Sequence, residues 1–102
     1  MAYEGEALDA NLAAAAGNDA ALFRELRGAF IESAERQLDL MRRARCDGNW
    51  QVAAMRLKGL AASFHAEKLI GLADEALSGV PGEPGVTRRI EHFLLDLIPP
   101  DA

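Results

Sequence analysis

Along most of this chain, apolar side chains recur every three or four positions and never alternate over a long run, a period that predicts helices and no strands. Breaks in that pattern divide it into five helical segments. The first runs from about Ala7 to Ala16 and stops at Gly17-Asn18-Asp19. Asp19 is placed to cap the longest helix, which runs to about Arg45 with an inward row of Phe23, Leu26, Phe30, Ala34, Leu38 and Met41. Asp47-Gly48-Asn49 is expected to break the chain, with Gly48 as a left-handed C-terminal cap and Asn49 capping the third helix. A second break near Phe64-His65 precedes a fourth helix, about Ala66 to Leu77, whose apolar row is Leu69, Leu72, Ala73, Ala76 and Leu77. Ser78 to Gly85, rich in glycine and proline, reads as a surface connection. Thr87 is then expected to cap a last helix with the stripe Ile90, Phe93, Leu94 and Leu97, stopped by Pro99-Pro100.

Four amphipathic helices joined by short loops, with a shorter one in front, predict an all-α fold: an antiparallel four-helix bundle with an additional N-terminal helix. At 102 residues, positions 1–102 form a single domain with room for one core.

The third helix breaks the usual pattern. At about 100° per residue, Trp50, Ala53, Ala54, Leu57, Leu60, Ala61 and Phe64 fall within an arc of roughly 120° and form its core face. Opposite lie Gln51, Val52, Met55, Gly59 and Ala62, with Arg56 and Lys58 on the two shoulders. A folded domain usually places charge on such a face, and here it is small and apolar. Gly59, in mid-helix, costs about 1 kcal/mol against alanine. The usual gain from an exposed glycine is close approach by another backbone or side chain, so this face is expected to bind a partner.

Composition narrows the function. Half of the residues are hydrophobic, and the net charge of −5 argues against a nucleic-acid or anionic-membrane binder, which relies on a basic surface. Arg42, Arg43 and Arg45 sit at a helix end, where cations offset the dipole. Cys46 is the only cysteine, which leaves neither an internal disulfide nor a thiolate metal site. The first residues lack the basic start and apolar run of a signal peptide, so a cytoplasmic protein is expected. No cofactor or metal is implied, and no catalytic residue is assigned. There is no glycine-rich phosphate loop, no nucleophile elbow and no His-Glu-x-x-His pair. His65 and His92 lie on different segments and read as structural or surface residues. The adjacent acids Asp74 and Glu75 read as solvated charge.

On these residues the chain resembles the histidine-containing phosphotransfer (HPt) domains of bacterial two-component phosphorelays. That family's pattern is His-x-Leu-Lys-Gly, followed by small residues, a Leu-Gly-Ala junction and another amphipathic helix. Here it reads Met55-Arg56-Leu57-Lys58-Gly59-Leu60-Ala61-Ala62-Ser63-Phe64-His65-Ala66. The likeness runs from about Ala7 to Leu77 and includes Phe30, where the family often has phenylalanine. In the family a receiver domain packs over the second and third helices around the histidine, with lysine at plus three near the phosphoryl group and glycine at plus four leaving room. Lys58 and Gly59 match those two positions.

Two positions depart from the pattern. Met55 replaces the phosphoacceptor histidine, and His65 replaces the junction glycine. A thioether has no ionisable nitrogen, so Met55 cannot carry the phosphoryl group. The resemblance then implies a degenerate, non-enzymatic domain that binds a response-regulator receiver or a histidine kinase as competitor, scaffold or modulator, and is itself a monomer. Its partner-binding residues would be Gln51, Val52, Met55, Arg56, Lys58, Gly59 and Ala62. Two other readings stay open. One is a helical adaptor or self-associating protein unrelated to phosphorelay. The other is phosphotransfer through another histidine; His65, ten residues and so roughly 15 Å along a helix from Met55, would need a different docking pose.

Overall fold

The structure is a computed structural model that describes residues 5–97. The Pro99-Pro100 stop lies outside the described residues. Within them the chain is all-helical: α1 (Glu6–Ala15), α2 (Ala20–Arg43), α3 (Asp47–Ser63), α4 (Glu67–Ser78) and α5 (Pro84–Leu97). α2 packs on α3, α3 on α4, α4 on α5, and α5 back on α2, while α1 lies against α2. The enclosed core takes Phe30, Ala34, Leu38 and Met41 from α2, Trp50, Ala54 and Leu57 from α3, Leu69 and Leu72 from α4, and Ile90, Phe93 and Leu94 from α5. Phe23, Leu26, Leu60, Phe64 and Leu77, expected inside, are only partly buried at its margin. Ile31, outside the expected row, is buried.

Asp19 caps α2 as expected, its carboxylate accepting from the backbone N–H groups of Ala21 and Leu22 at 3.0 and 3.1 Å. Gly17 sits at φ 62°, in the left-handed region that ends α1. The expected break at Asp47-Gly48-Asn49 is displaced. The chain turns through extended residues at Ala44 and Cys46. These redirect the backbone without a left-handed residue, so Gly48 is helical. Asp47 instead opens α3, where its carboxylate favours the positive end of the helix dipole.

The start of α5 is also corrected. Thr87 is buried inside the helix, and its hydroxyl donates to the Pro84 carbonyl at 2.9 Å. The cap is Glu83, whose carboxylate accepts from the N–H groups of Gly85 at 2.7 Å and Val86 at 2.9 Å. Those bonds hold the Glu83 carboxyl below its ordinary value of 4.5. Pro84 follows as the first helical residue, where its missing N–H is no loss.

The α3–α4 junction explains why a glycine suits position 65. The Ala66 N–H reaches back to the Ala61 carbonyl at 2.9 Å, and the His65 N–H to that of Ala62 at 3.2 Å. These two bonds form a Schellman motif, which places the residue just past the helix end in the left-handed region, and His65 has φ 54°. Its side chain is exposed, so little packing offsets the cost of that backbone. A left-handed non-glycine residue costs about 1 to 2 kcal/mol, of which the greater freedom of an unfolded glycine returns part. His65→Gly is therefore expected to stabilise the domain by about 0.5 to 1 kcal/mol. A urea titration would show this as a raised midpoint with unchanged slope, whereas a lowered midpoint would mean that the imidazole contributes a contact that outweighs the strain.

Candidate functional site

α3 is held by its inner face. Trp50, Ala53, Ala54, Leu57 and Ala61 are buried, and the Trp50 indole Nε1 donates to the Ala76 carbonyl of α4 at 3.0 Å. Phe64, at the end of α3, meets the Phe30 ring edge-on, with centroids 5.9 Å apart. Its carbonyl accepts from Asn11 Nδ2 of α1 at 2.7 Å. With one side anchored this way, the helix has its other side fixed in orientation. Gln51, Val52, Met55, Arg56, Gly59 and Ala62 are exposed, and Lys58 is half-buried. The expected set therefore shares one face.

Met55 is 62% exposed and Val52 47%, at the middle and near end of that face. A Cβ added to Gly59 would meet nothing within 4 Å, so nothing within the described residues requires a glycine there. Gly28 and Gly71 are equally open, and openness alone therefore marks no site. Gly59 differs because it lies one helical turn beyond an exposed methionine. Together the two make a protruding apolar side chain beside a flat stretch of backbone.

The two shoulders of α3 are unlike. Lys58 Nζ pairs with Asp74 Oδ1 of α4 at 2.7 Å, with side chains 45% and 51% exposed. On the other side Arg56 joins Leu40, Arg43, Asn49 and Val52 in lining a groove of about 240 Å³ between α2 and α3. Leu40 is 40% exposed and extends the apolar surface from α3 onto α2. Sequence reasoning missed it, although its place outside the inward row next to Leu38 and Met41 was the available signal. Asp74 and Glu75 are likewise more than solvated charge, since Asp74 holds Lys58 and Glu75 pairs with Arg89 of α5. At the α2 terminus, Arg42 pairs with Glu91 at 3.2 Å and Arg43 with Asp39 at 3.0 Å.

Other candidates are not assembled with this face. His65 is exposed at the far end of α3, and His92 is exposed on α5 in a groove with Lys68, Arg88 and Asp96. Cys46 is exposed between α2 and α3. Among the described residues no three histidine, cysteine or carboxylate side chains gather as a metal site. No described helix is long and apolar enough to cross a membrane. No family model matches the chain, and neither a curated protein nor a solved structure matches it.

Chemically, the α3 face offers apolar contact through Met55, Val52 and Leu40, and cations at its margin. The centre of the face bears a thioether, which is polarisable and adaptable in contacts and carries no titratable nitrogen.

Proposed function

We propose that this protein is a degenerate phosphotransfer-like domain that docks on a receiver domain or histidine kinase without relaying phosphate, acting in the cytoplasm as competitor, scaffold or modulator. In this reading α2 to α5 form an antiparallel four-helix bundle, α1 is the short extra helix, and the free chain is a monomer. The observation that carries the proposal is the position of Met55. It stands exposed at the centre of the one α3 face that resembles the family's docking surface, with Lys58 and Gly59 at plus three and plus four. The left-handed backbone at His65, where the family has glycine, supports the same correspondence.

A side chain as large as methionine gains roughly 1.5 to 3 kcal/mol on burial. A carboxylate at the same point would have to be desolvated without a partner. The test is to present the native chain and Met55→Glu to the receiver domains and histidine kinases of the parent genome, each titrated by calorimetry. Native binding to at least one of them, lost below detection in Met55→Glu, is the expected result. Equal affinity of the two chains would remove Met55 from the interface. If light scattering across a concentration series shows a dimer that Met55→Glu converts to a monomer, a second copy of the chain is the occupant of this face.

A further inference from the structure

Resting on the docking reading above, we infer that the cation that steers the partner onto this surface is Arg56, at the α2 side, and that Asp74 holds Lys58 out of that role. The motif alone points to Lys58, which matches the lysine at plus three in the family's pattern. The geometry points elsewhere. Lys58 Nζ lies 2.7 Å from Asp74 Oδ1, so an incoming carboxylate meets a neutral ion pair there and must compete with a tethered one. Arg56 is exposed, and no hydrogen bond or ion pair engages it among the described residues. It lines, with Leu40, Val52 and Arg43, the groove between α2 and α3.

With Arg43 paired to Asp39, Arg56 is, among the described residues, the unpaired cation of this groove, and on a chain of net charge −5 it is a local departure in sign and not part of a basic surface. The occupant it fits is a partner face with an apolar side chain for the groove and a carboxylate beside it for Arg56. A second copy docked groove to groove would instead bring Arg56 to a groove whose other cation, Arg43, is already paired with Asp39 at 3.0 Å and which offers Arg56 no free carboxylate among the described residues. A guanidinium also offers a carboxylate two parallel N–H donors, which an ammonium does not. Asp74 therefore acts as a specificity residue: it neutralises one shoulder of α3 and leaves the other to select the partner's orientation.

The experiment compares the native chain with Arg56→Gln, Lys58→Gln and Asp74→Asn against whichever receiver or kinase binds the native chain, at two salt concentrations. All three positions are exposed or half-exposed, and a circular dichroism melt of each variant establishes that it is folded. Arg56→Gln is expected to weaken binding about tenfold, mainly in the association rate, and to flatten the salt dependence. Lys58→Gln is expected to change affinity less than about threefold, and Asp74→Asn to strengthen binding by releasing a second cation. A loss in Lys58→Gln equal to that in Arg56→Gln overturns the inference and leaves the docking reading standing. Failure of the native chain to bind any receiver or kinase overturns both.

Discussion

Trp50→Ala is expected to cost about 3 to 5 kcal/mol of folding stability, a large part of the roughly 5 to 15 kcal/mol that holds a domain of this kind together. The indole is 2% exposed and lies where α3 and α4 meet, so two separate losses combine. The first is volume, since an alanine leaves a cavity bounded by residues on two helices that can close only partly. The second is a hydrogen bond. The last four carbonyls of α4 have no helical N–H ahead of them. Glu75 is served by the Gly79 N–H at 2.9 Å, and Ala76 by the Trp50 indole at 3.0 Å. Trp50→Phe separates the two, because it fills most of the space and removes only the donor, at an expected cost of about 1 to 2 kcal/mol. Urea unfolding followed by far-ultraviolet circular dichroism checks both variants without relying on tryptophan fluorescence. If the two cost the same, the volume of the indole contributes nothing and the account of α3 anchoring fails.

That anchoring was legible because a helical period is a strong signal over many turns. Trp50, Ala53, Ala54, Leu57 and Ala61 fall inside as their spacing requires, and the Met55 face falls outside for the same reason. What the sequence concealed depended on reach or on crossing geometry. Thr87 looked like the α5 cap because threonine often is one. Glu83 takes that role because its longer side chain curls back over Gly85, where a Cβ would lie 2.7 Å from its Oε1. Asp47-Gly48-Asn49 looked like a turn by composition, yet the three preceding residues had already redirected the chain. The Lys58–Asp74 pair joins residues sixteen apart in sequence, and only the packing of α3 on α4 decides that they meet. Leu40 completes a groove whose other wall is contributed by α3, so neither helix read alone could reveal it.

If the domain docks on a receiver as proposed, Met55→His is expected to let it accept a phosphoryl group from that receiver in its phosphorylated form. An imidazole at this position is neutral in part at pH 7 and nucleophilic at nitrogen. It would attack phosphorus, the bond from phosphorus to the receiver's aspartyl oxygen would break, the aspartate would leave as carboxylate, and the ring would shed its remaining proton to water. Backbone geometry does not stand in the way, because Met55 is helical and exposed and the flat stretch at Gly59 lies one turn on. Lys58 is the weak point, since its ammonium is already occupied by Asp74 at 2.7 Å. Met55→His is therefore expected to take label slowly, and the double variant Met55→His with Asp74→Asn faster, as the freed cation stabilises charge on the transferring group. The product should be acid-labile and base-stable, as phosphohistidine is, and absent from the native chain. A receiver that binds Met55→His tightly yet transfers nothing to it, with or without Asp74→Asn, would show that partner and helix meet in a register that places position 55 away from the aspartyl phosphate. The surface would then have to be understood as an interface with geometry of its own.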